Sequence, residues 1–301
     1  MPAWVDSAMP EQRIVEAATL LPRGGAVTGW ASCRWWGGSF FDGRRADGAT
    51  LIPVPLCLGP GLHLRPRREV QFLRDRLDES EVAIRHGLAC TTVHRGLFDA
   101  MRLAPDIREA VVAMDMMAAA LLTSPARMQA YVSTRAGWPG VRRVRAALAL
   151  SSRRSRSPNE TRLRLIWELD AGLPRPLVNQ PVWDRRGRLL GIADLLDVQA
   201  GVVGEFDGAD HRGAARHSKD VEREQGFRDE GLEFFRVTGP DIRVRRRVIR
   251  RMLSARGRAR WTIERDRTWT TAPAPGAGQE QTLDEHLDER DWWRSVDQQS
   301  G

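Results

Sequence analysis

The sequence predicts a two-domain α/β protein, with a mixed α+β domain over residues 1–150 and an α-β-β-β-α-β core over residues 151–267. Three observations predict the second domain. A capping box with proline at the first helical position begins a helix at Ser157. Three apolar, strand-like stretches follow without an intervening helix. A polar helix then leads into one more apolar stretch, which completes the order.

The first domain combines helical and strand-like patterns. Residues 12–21 and 109–122 have apolar side chains at helical spacing, whereas residues 50–57 and 81–84 are typical of strands. A chain of 301 residues that is 42% hydrophobic and 29% charged suits two globular domains and not a disordered chain. We therefore expect each domain to have its own core.

The elements of the second domain can be placed in order. The capping box predicts a helix that ends near Gly172, and Asp184 to Gly187 is typical of a turn between the first two strands. A last, very basic helix follows the final strand. The predicted strands are Leu177–Trp183, Leu189–Leu196, Val202–Asp207 and Leu232–Val237, and the later helices are Ser218–Asp229 and Asp241–Arg256.

Two shifts of composition mark boundaries. The small, basic stretch SSRRSRS, residues 151–157, stands before Pro158 and predicts the domain boundary. After Arg267 the chain becomes rich in Ala, Pro and Gly and then acidic, with Trp292 and Trp293 near its end. This composition predicts a disordered tail over residues 268–301.

Several classes of protein are disfavoured. The most apolar segment, residues 111–122, is too short to cross a bilayer and contains Asp115. The first residues carry acids and no apolar run, so we expect neither a secretory signal nor a membrane partner, and a cytoplasmic location. The three cysteines stand singly, without the pairing typical of a zinc site or a disulfide framework.

The basic charge of the chain is carried by arginine. The net charge is +8, and Lys219 is the only lysine. Guanidinium groups bind phosphate in a bidentate way, so an arginine-rich surface favours DNA as a partner, although such a run is also typical of a solvated helix face. The residues expected to contact DNA are Arg236, Arg243, Arg245 and Arg246.

Three carboxylates are expected to meet at one end of the second sheet. Alternate residues of a strand share a face, so Glu205 and Asp207 project the same way, and a short link joins their strand to the one that carries Asp194. Clustered carboxylates and room for water suit Mg²⁺ or Mn²⁺. We therefore expect Asp194, Glu205 and Asp207 as metal ligands, with His211 near enough for its imidazole to reach the metal or a bound water, where it positions the water or assists proton transfer.

These motifs resemble a known family. Residues 159–197 (NETRLRLIWELDAGLPRPLVNQPVWDRRGRLLGIADLLD), 201–211 (GVVGEFDGADH) and 219–242 (KDVEREQGFRDEGLEFFRVTGPDI) are similar to a domain family related to the very-short-patch repair endonuclease, of the PD-(D/E)XK type. The resemblance covers about a third of the chain. It implies a restriction-endonuclease-like core that hydrolyses a DNA phosphodiester with Mg²⁺.

The resemblance also implies roles for single residues. Glu160 matches the acid of the first helix, Asp194 the central metal ligand and Glu205 the second acid, while Asp207 and His211 match an E-x-D-G-x-x-H variant. In the parent E-x-K motif a lysine stands where this chain has Asp207. The mechanism that the resemblance implies therefore lacks its lysine, for which His211 or Lys219 are the candidate substitutes.

The first domain is similar to the C-terminal part of AbiEi-type antitoxins. The similar stretches are residues 24–38 (GGAVTGWASCRWWGG), 86–100 (HGLACTTVHRGLFDA) and 108–122 (REAVVAMDMMAAALL). Such antitoxins act as repressors with a winged helix, but no helix-turn-helix stands out in this chain. The resemblance implies a protein partner or a regulatory role for this domain.

Each candidate residue also has a local explanation. Glu160 can serve only the capping box, His211 can cap a loop, and Asp220 with Arg223, three residues apart on a helix, can form an ordinary ion pair. In the resembling family this pair recurs and supports the site. The sequence therefore predicts a metal-dependent DNA endonuclease, acting in repair or phage defence. The alternative is a non-catalytic DNA-binding or toxin–antitoxin regulatory protein that keeps the nuclease fold.

Overall fold

A computed structural model of the chain describes residues 6, 8–62, 64–208, 214–273 and 281–299, with the side chains of 214–220 and 294–299 left out. The chain divides into two compact units. Unit 1 comprises Met1–Arg153 and Gln281–Gly301, and unit 2 comprises Arg154–Glu280. The described residues form two five-stranded mixed sheets and eleven helices, which confirms the mixed α/β class. The unit boundary falls inside the stretch 151–157 that composition marks as a boundary.

Unit 1 surrounds a small mixed sheet with helices. The strand order is β3-β2-β1-β5-β4, in which β1 pairs antiparallel with β2 and parallel with β5. The strands are β1 (Ala26–Val27), β2 (Val54–Cys57), β3 (Val70–Leu73), β4 (Val82–Arg85) and β5 (Leu88–Thr91). The helices are α1 (Pro10–Ala18), α2 (Gly29–Trp35), α3 (Val93–Leu103), α4 (Ile107–Ala119), α5 (Pro125–Ser133), α6 (Val141–Leu150) and α11 (Leu283–Gln299).

Helix α4 is the central helix of unit 1. Asp106 caps its first turn, because the carboxylate accepts the Glu109 amide at 3.0 Å. Nine consecutive residues from Ala110 to Ala118 are buried, so the helix is covered on every side. Buried Asp115 accepts the Ser152 amide at 2.7 Å, which satisfies one of its oxygens.

Unit 2 follows the predicted order, with one added strand. The helices are α7 (Pro158–Leu165), continued by a π-helical turn over Ile166–Asp170, then α8 (Ala214–Asp229), α9 (Gly239–Ile242) and α10 (Arg245–Arg258). The strands are β6 (Leu177–Asp184), β7 (Leu189–Asp197), β8 (Val202–Asp207), β9 (Glu233–Thr238) and β10 (Trp269–Thr270). The sheet order is β10-β6-β7-β8-β9, antiparallel except for the parallel pair β8–β9, which α8 connects.

The sheet of unit 2 is covered on both faces. Neighbouring residues of one strand belong to different core clusters: Phe235 packs with Trp167 and Val248, whereas Phe234 packs with Phe227 of α8. The rings of Trp167 and Phe235 stack at 6.1 Å. This double burial explains why the strands have nearly continuous apolar runs. Because both faces of the sheet are covered by apolar residues, polar side chains are accommodated at the ends of the strands.

The predicted helix Asp241–Arg256 is divided in the structure. Thr238 and Asp241 form a capping box, in which Asp241 accepts the Thr238 amide at 3.1 Å and its hydroxyl at 2.9 Å. This box begins the short helix α9 before the predicted start. The chain leaves helical geometry at Val244, and α10 begins after it.

The expectation of a disordered tail over 268–301 is wrong for two of its segments. Strand β10 pairs with β6, and Trp269 is buried in the core of unit 2. Helix α11 packs within unit 1 through buried Leu287 and through Arg127, which pairs with Asp288 at 2.5 Å and Asp291 at 2.6 Å. Acidic composition alone did not reveal that a basic partner was available. In the described part of the chain, no helix is long and apolar enough to span a bilayer.

Candidate functional site

Asp194 and Glu205 lie on neighbouring antiparallel strands. The register pairs Leu195 with Gly204, so Asp194 and Glu205 are the next two residues along the β7–β8 ladder. The Phe206 amide donates to the Asp194 carboxylate at 2.8 Å, which fixes the side chain against β8. The structure thus brings together Asp194 and Glu205, two of the three predicted ligands. They meet through the antiparallel hairpin that the short link between their strands predicts.

Asp194 lies in an acidic environment. Burial and the negative charge of Glu160 raise its pKa, the Phe206 amide lowers it, Glu205 raises it and Arg223 lowers it, with a result of about 7. An ordinary aspartate ionises near pH 4. We refer to Glu160, Asp194 and Glu205 as the acidic site, because carboxylates outweigh cations around Asp194.

Glu205 is buried and paired with arginine. Its Oε2 atom accepts a hydrogen bond from Arg223 Nη2 of α8 at 2.7 Å, and Arg236 Nη2 of β9 lies 3.9 Å away. Arg236 is closer to Glu224, at 3.4 Å. Arg223 therefore pairs with a carboxylate of the acidic site. The predicted ion pair between Arg223 and Asp220 is not tested, because the side chain of Asp220 is outside the described ones.

Glu160 serves the helix cap and faces the acidic site. The Glu160 amide donates to Ser157 Oγ at 3.2 Å, as the capping box predicts. Its carboxylate, however, accepts the Arg156 amide at 2.9 Å and Asn179 Nδ2 at 2.7 Å. Because Glu160 also raises the pKa of Asp194, its local and its site role occur together.

Asn179 is a site residue that the sequence did not reveal. It is 3% exposed and adopts a left-handed φ of +44° within β6. The ladder pairs Val178 with Leu195 and Gln180 with Ala193, which places Asn179 opposite Asp194. Left-handed backbone in a residue other than glycine is uncommon and often accompanies functional sites. An asparagine within a strand was the available signal.

The other predicted site residues are Asp207, which is described, and His211, which is not. Asp207 ends β8 and is partly exposed. His211 lies outside the described residues, as do the side chains of His217 and Lys219. Within the described part of the chain, no group of three or more His, Cys, Asp or Glu side chains is arranged to hold a metal ion. The three-carboxylate cage of Asp194, Glu205 and Asp207 is therefore not assembled here.

The chemistry of the pair still suits a hard cation. Asp194 and Glu205 offer only oxygen donors, and the pKa of Asp194 is raised first by burial and then by the negative charges of Glu160 and Glu205. Mg²⁺ commonly uses one or two carboxylates, with water and substrate phosphate as the other ligands. Two carboxylates are consequently enough for this cation, although Arg223 already balances part of their charge.

The predicted DNA-contacting arginines differ in their partners. Arg236 pairs with Glu224, Arg245 lies 3.9 Å from Asp170, and Arg243 is exposed. Arg246 and Arg250, one turn apart on α10, form no ion pair with the described residues and line a shallow groove. Their neighbours Arg247 and Arg251 both pair with Asp241, at 3.2 and 2.6 Å. Arg250 was missed because every arginine in this run has a similar sequence context.

Comparisons with known proteins find no matching family model, no similar curated protein and no similar solved structure.

Proposed function

We propose that unit 2 is a metal-dependent DNA endonuclease with a restriction-endonuclease-like core. The observation that carries this proposal is the pair of acids on β7 and β8, where Asp194 has a raised pKa beside Glu160 and Glu205. A strongly perturbed carboxylate with identified charge neighbours is a candidate functional group. The order of helices and strands in unit 2 supports the same fold class.

The residues of this site have distinct tasks in the proposed enzyme. Asp194 and Glu205 would hold Mg²⁺ or Mn²⁺, and the Phe206 amide fixes the Asp194 carboxylate. When bound, such a cation supplies a more acidic water and charge stabilisation at phosphate. The hydrogen bond from Asn179 to Glu160 connects β6 to α7. Arg246 and Arg250 supply charge for the DNA backbone.

The second candidate is a non-catalytic DNA-binding or regulatory protein. The observation that favours it is the ion pair between Arg223 and Glu205, because an arginine here reduces the need for a metal. The two candidates differ in their response to Mg²⁺ and Mn²⁺. A protein of the second kind would bind DNA equally well with and without a divalent cation.

The test compares the wild type with Asp194→Asn in millimolar Mg²⁺ and Mn²⁺. Single-stranded, nicked, mismatched and intact duplex DNA are the substrates, and cleavage and melting temperature are both measured. The wild type should cleave at least one substrate, and the cation should raise its melting temperature by mass action. Asp194→Asn should lose both effects while its metal-free fold remains intact.

The matched control is Asp229→Asn, which removes an exposed carboxylate of α8 that accepts only a local bond from Gln225 at 2.6 Å. This variant should keep both cleavage and the metal-dependent rise. If Asp194→Asn unfolds without metal, Asp194 is a structural partner and the endonuclease proposal loses its main support. The same holds if the wild type shows no cleavage and no thermal response to either cation.

A further inference from the structure

Trp261 has an unusual backbone conformation just after the end of α10. Its φ is +53°, which is left-handed backbone. A bulky side chain rarely adopts this conformation, and holding it there costs free energy. Burial does not offset this strain, because Trp261 is 46% exposed. Packing of the fold therefore does not explain why the ring is held in this position.

Arg256 fixes the orientation of the Trp261 ring. Its guanidinium lies over the indole, 4.5 Å from the ring centroid, and its carbonyl accepts a hydrogen bond from Trp261 Nε1 at 3.3 Å. Arg256 is itself anchored, because its Nε donates to buried Asp197 at 2.7 Å. The cation thus occupies one face of the ring, and the exposed area belongs to the rest of the indole. An aromatic ring oriented in this way is a platform on which a nucleobase can stack.

An arginine suited to bind phosphate stands next to this ring in the chain. Arg260 is exposed and forms no ion pair with the described residues. A Cβ atom at Gly231 would lie 3.1 Å from Arg260 Nη1, so the guanidinium lies against the turn before β9. The neighbouring Arg258, in contrast, pairs with Glu233 at 3.1 Å. An exposed ring beside an available guanidinium complements a nucleotide, which has a flat base and a negative phosphate.

The segment that carries Trp261 also continues the basic groove of α10. Arg250 and Ser254 line this groove. Arg258 Nη1 donates to Ser254 Oγ at 2.9 Å, which joins the end of the groove to the start of the segment. A nucleic-acid strand that follows the arginines of α10 would therefore reach the ring of Trp261.

We infer that Trp261 and Arg260 form a binding site for an unpaired nucleotide, in which the base stacks on the indole and Arg260 binds the adjoining phosphate. A base inside a duplex cannot take this position until it leaves the stack. The site therefore selects single strands, or places where a base is free, over intact duplex. This inference extends the proposed DNA binding and depends on neither cleavage nor a metal.

The test measures binding of labelled oligonucleotides to the full chain by fluorescence anisotropy, with a chelator present to prevent cleavage. The probes are a single-stranded thymidine oligonucleotide, an abasic strand of the same length and charge, a uridine oligonucleotide and an intact duplex. The wild type should bind the thymidine strand roughly tenfold more tightly than the abasic strand, which is the effect of one base–aromatic stack. The thymidine and uridine strands distinguish DNA from RNA as the source of the base.

Trp261→Gly removes the ring and should keep the fold, because glycine adopts this φ without strain. The variant should lose the preference for the thymidine strand. Its affinity for the abasic strand and for the duplex should stay within about threefold of wild type, because the phosphate contacts are unchanged. Trp261→Phe should keep part of the preference. Arg260→Gln should weaken binding of both single strands and reduce the slope of log K against log salt by about 1.

The control is Trp293→Ala, which removes a tryptophan that is similarly exposed, at 55%, and packs edge-on against Trp292 of α11. It should bind every probe as the wild type does. If Trp261→Gly loses the same affinity for thymidine and abasic strands, the ring supports the fold and the inference is overturned.

A wild type that binds these two strands equally also overturns the inference, and this comparison decides the matter if Trp261→Gly does not fold. The ring would then serve another partner, such as a protein. The proposed function fails separately: a chain that binds single strands through Trp261 but never cleaves them keeps this site and is no endonuclease.

Discussion

The two units each contain a buried cluster of charged side chains, but the balance of charge differs. In unit 1, fully buried Arg95 pairs with Glu81 at 2.7 Å and Asp99 at 3.0 Å. Arg135 also pairs with Glu81, and Arg102 pairs with Asp99 and Asp75. In unit 2, Glu160 and Glu205 lie near Asp194, with Arg223 as the closely paired cation.

The pKa shifts of the two clusters have opposite signs for this reason. Burial alone would raise the pKa of Glu81, yet hydrogen bonds from Tyr131 and Arg135 and the charge of Arg95 hold it below its ordinary value. The pKa of Asp194 is raised to about 7. A buried acid whose charge the fold compensates stabilises the fold, whereas an acid with excess negative charge around it is available for a ligand.

The largest expected effect concerns the compensated cluster. Arg95→Met leaves Glu81 and Asp99 buried without their shared cation, and breaking such a pair costs about 3–5 kcal/mol. The free energy of unfolding, measured in urea, should fall by this amount. Arg135→Met is the control, because Glu81 keeps Arg95 and Tyr131, and it should cost about 1 kcal/mol. An equal decrease in unfolding free energy for the two variants would show that the buried Arg95 contributes no more to stability than the partly exposed Arg135.

The comparison also requires that the acidic site belong to unit 2 alone. A fragment of residues 154–280 should fold and keep the raised pKa of Asp194. A fragment of residues 151–267, the domain that the sequence predicts, lacks β10 and the buried Trp269. Its unfolding free energy should be about 3 kcal/mol lower, since deletion of a buried tryptophan costs about that much. Circular dichroism melts of both fragments test this, and equal stability would remove β10 from the core.

The third effect is a dependence of stability on pH. Asp194 binds its proton more tightly in the folded state, with a pKa of about 7, than in the unfolded chain, where it ionises near 4. Its stabilising contribution is therefore complete below about pH 4 and is lost as the pH rises toward 7. With a chelator present, wild-type stability should fall over this window relative to Asp194→Asn.

At pH 8 the Asp194→Asn variant should be the more stable by about 1–2 kcal/mol, since it no longer buries a charge beside Glu160 and Glu205. Asp207→Asn serves as the matched carboxylate change two residues beyond Glu205, at the end of β8. It should follow the wild-type pH dependence. Parallel curves for wild type and Asp194→Asn would contradict the raised pKa of Asp194.

The sequence predicted most of unit 2 because its signals are local. The capping box at Ser157 begins α7, and Val202–Asp207 is the predicted strand without change. Antiparallel pairing of Asp194 with the strand of Glu205 followed from the short link between them. Alternation, capping and turn residues depend on neighbours in the chain, so they can be recognised without the fold.

The contacts that define the site were not predictable in this way. Arg223 meets Glu205 because α8 crosses β7 at Gly191, and neither the crossing nor the space is visible in the sequence. Asn179 lies opposite Asp194 and has left-handed backbone geometry although it lies within a strand. In unit 1, β1 is only two residues long, and α11 is an acidic segment that follows a stretch rich in Ala, Pro and Gly, so neither has a clear sequence pattern.

The smallest expected effect applies the same comparison to the arginines of α10. Arg247 and Arg251 are paired with Asp241, while Arg246 and Arg250 line the groove without a described carboxylate. Replacing Arg246 and Arg250 by glutamine should weaken binding to duplex DNA roughly tenfold and reduce the slope of log K against log salt by about 2, because two phosphate contacts are lost.

Replacing Arg247 and Arg251 by glutamine should instead lower thermal stability, since buried Asp241 loses two cations, and should change the salt slope less. Both slopes are measured by fluorescence anisotropy titrations between roughly 50 and 200 mM salt. If the two double variants lose the same number of salt-dependent contacts, ion pairing within the fold does not decide which arginines serve DNA, and the distinction between compensated and available charge fails on this helix.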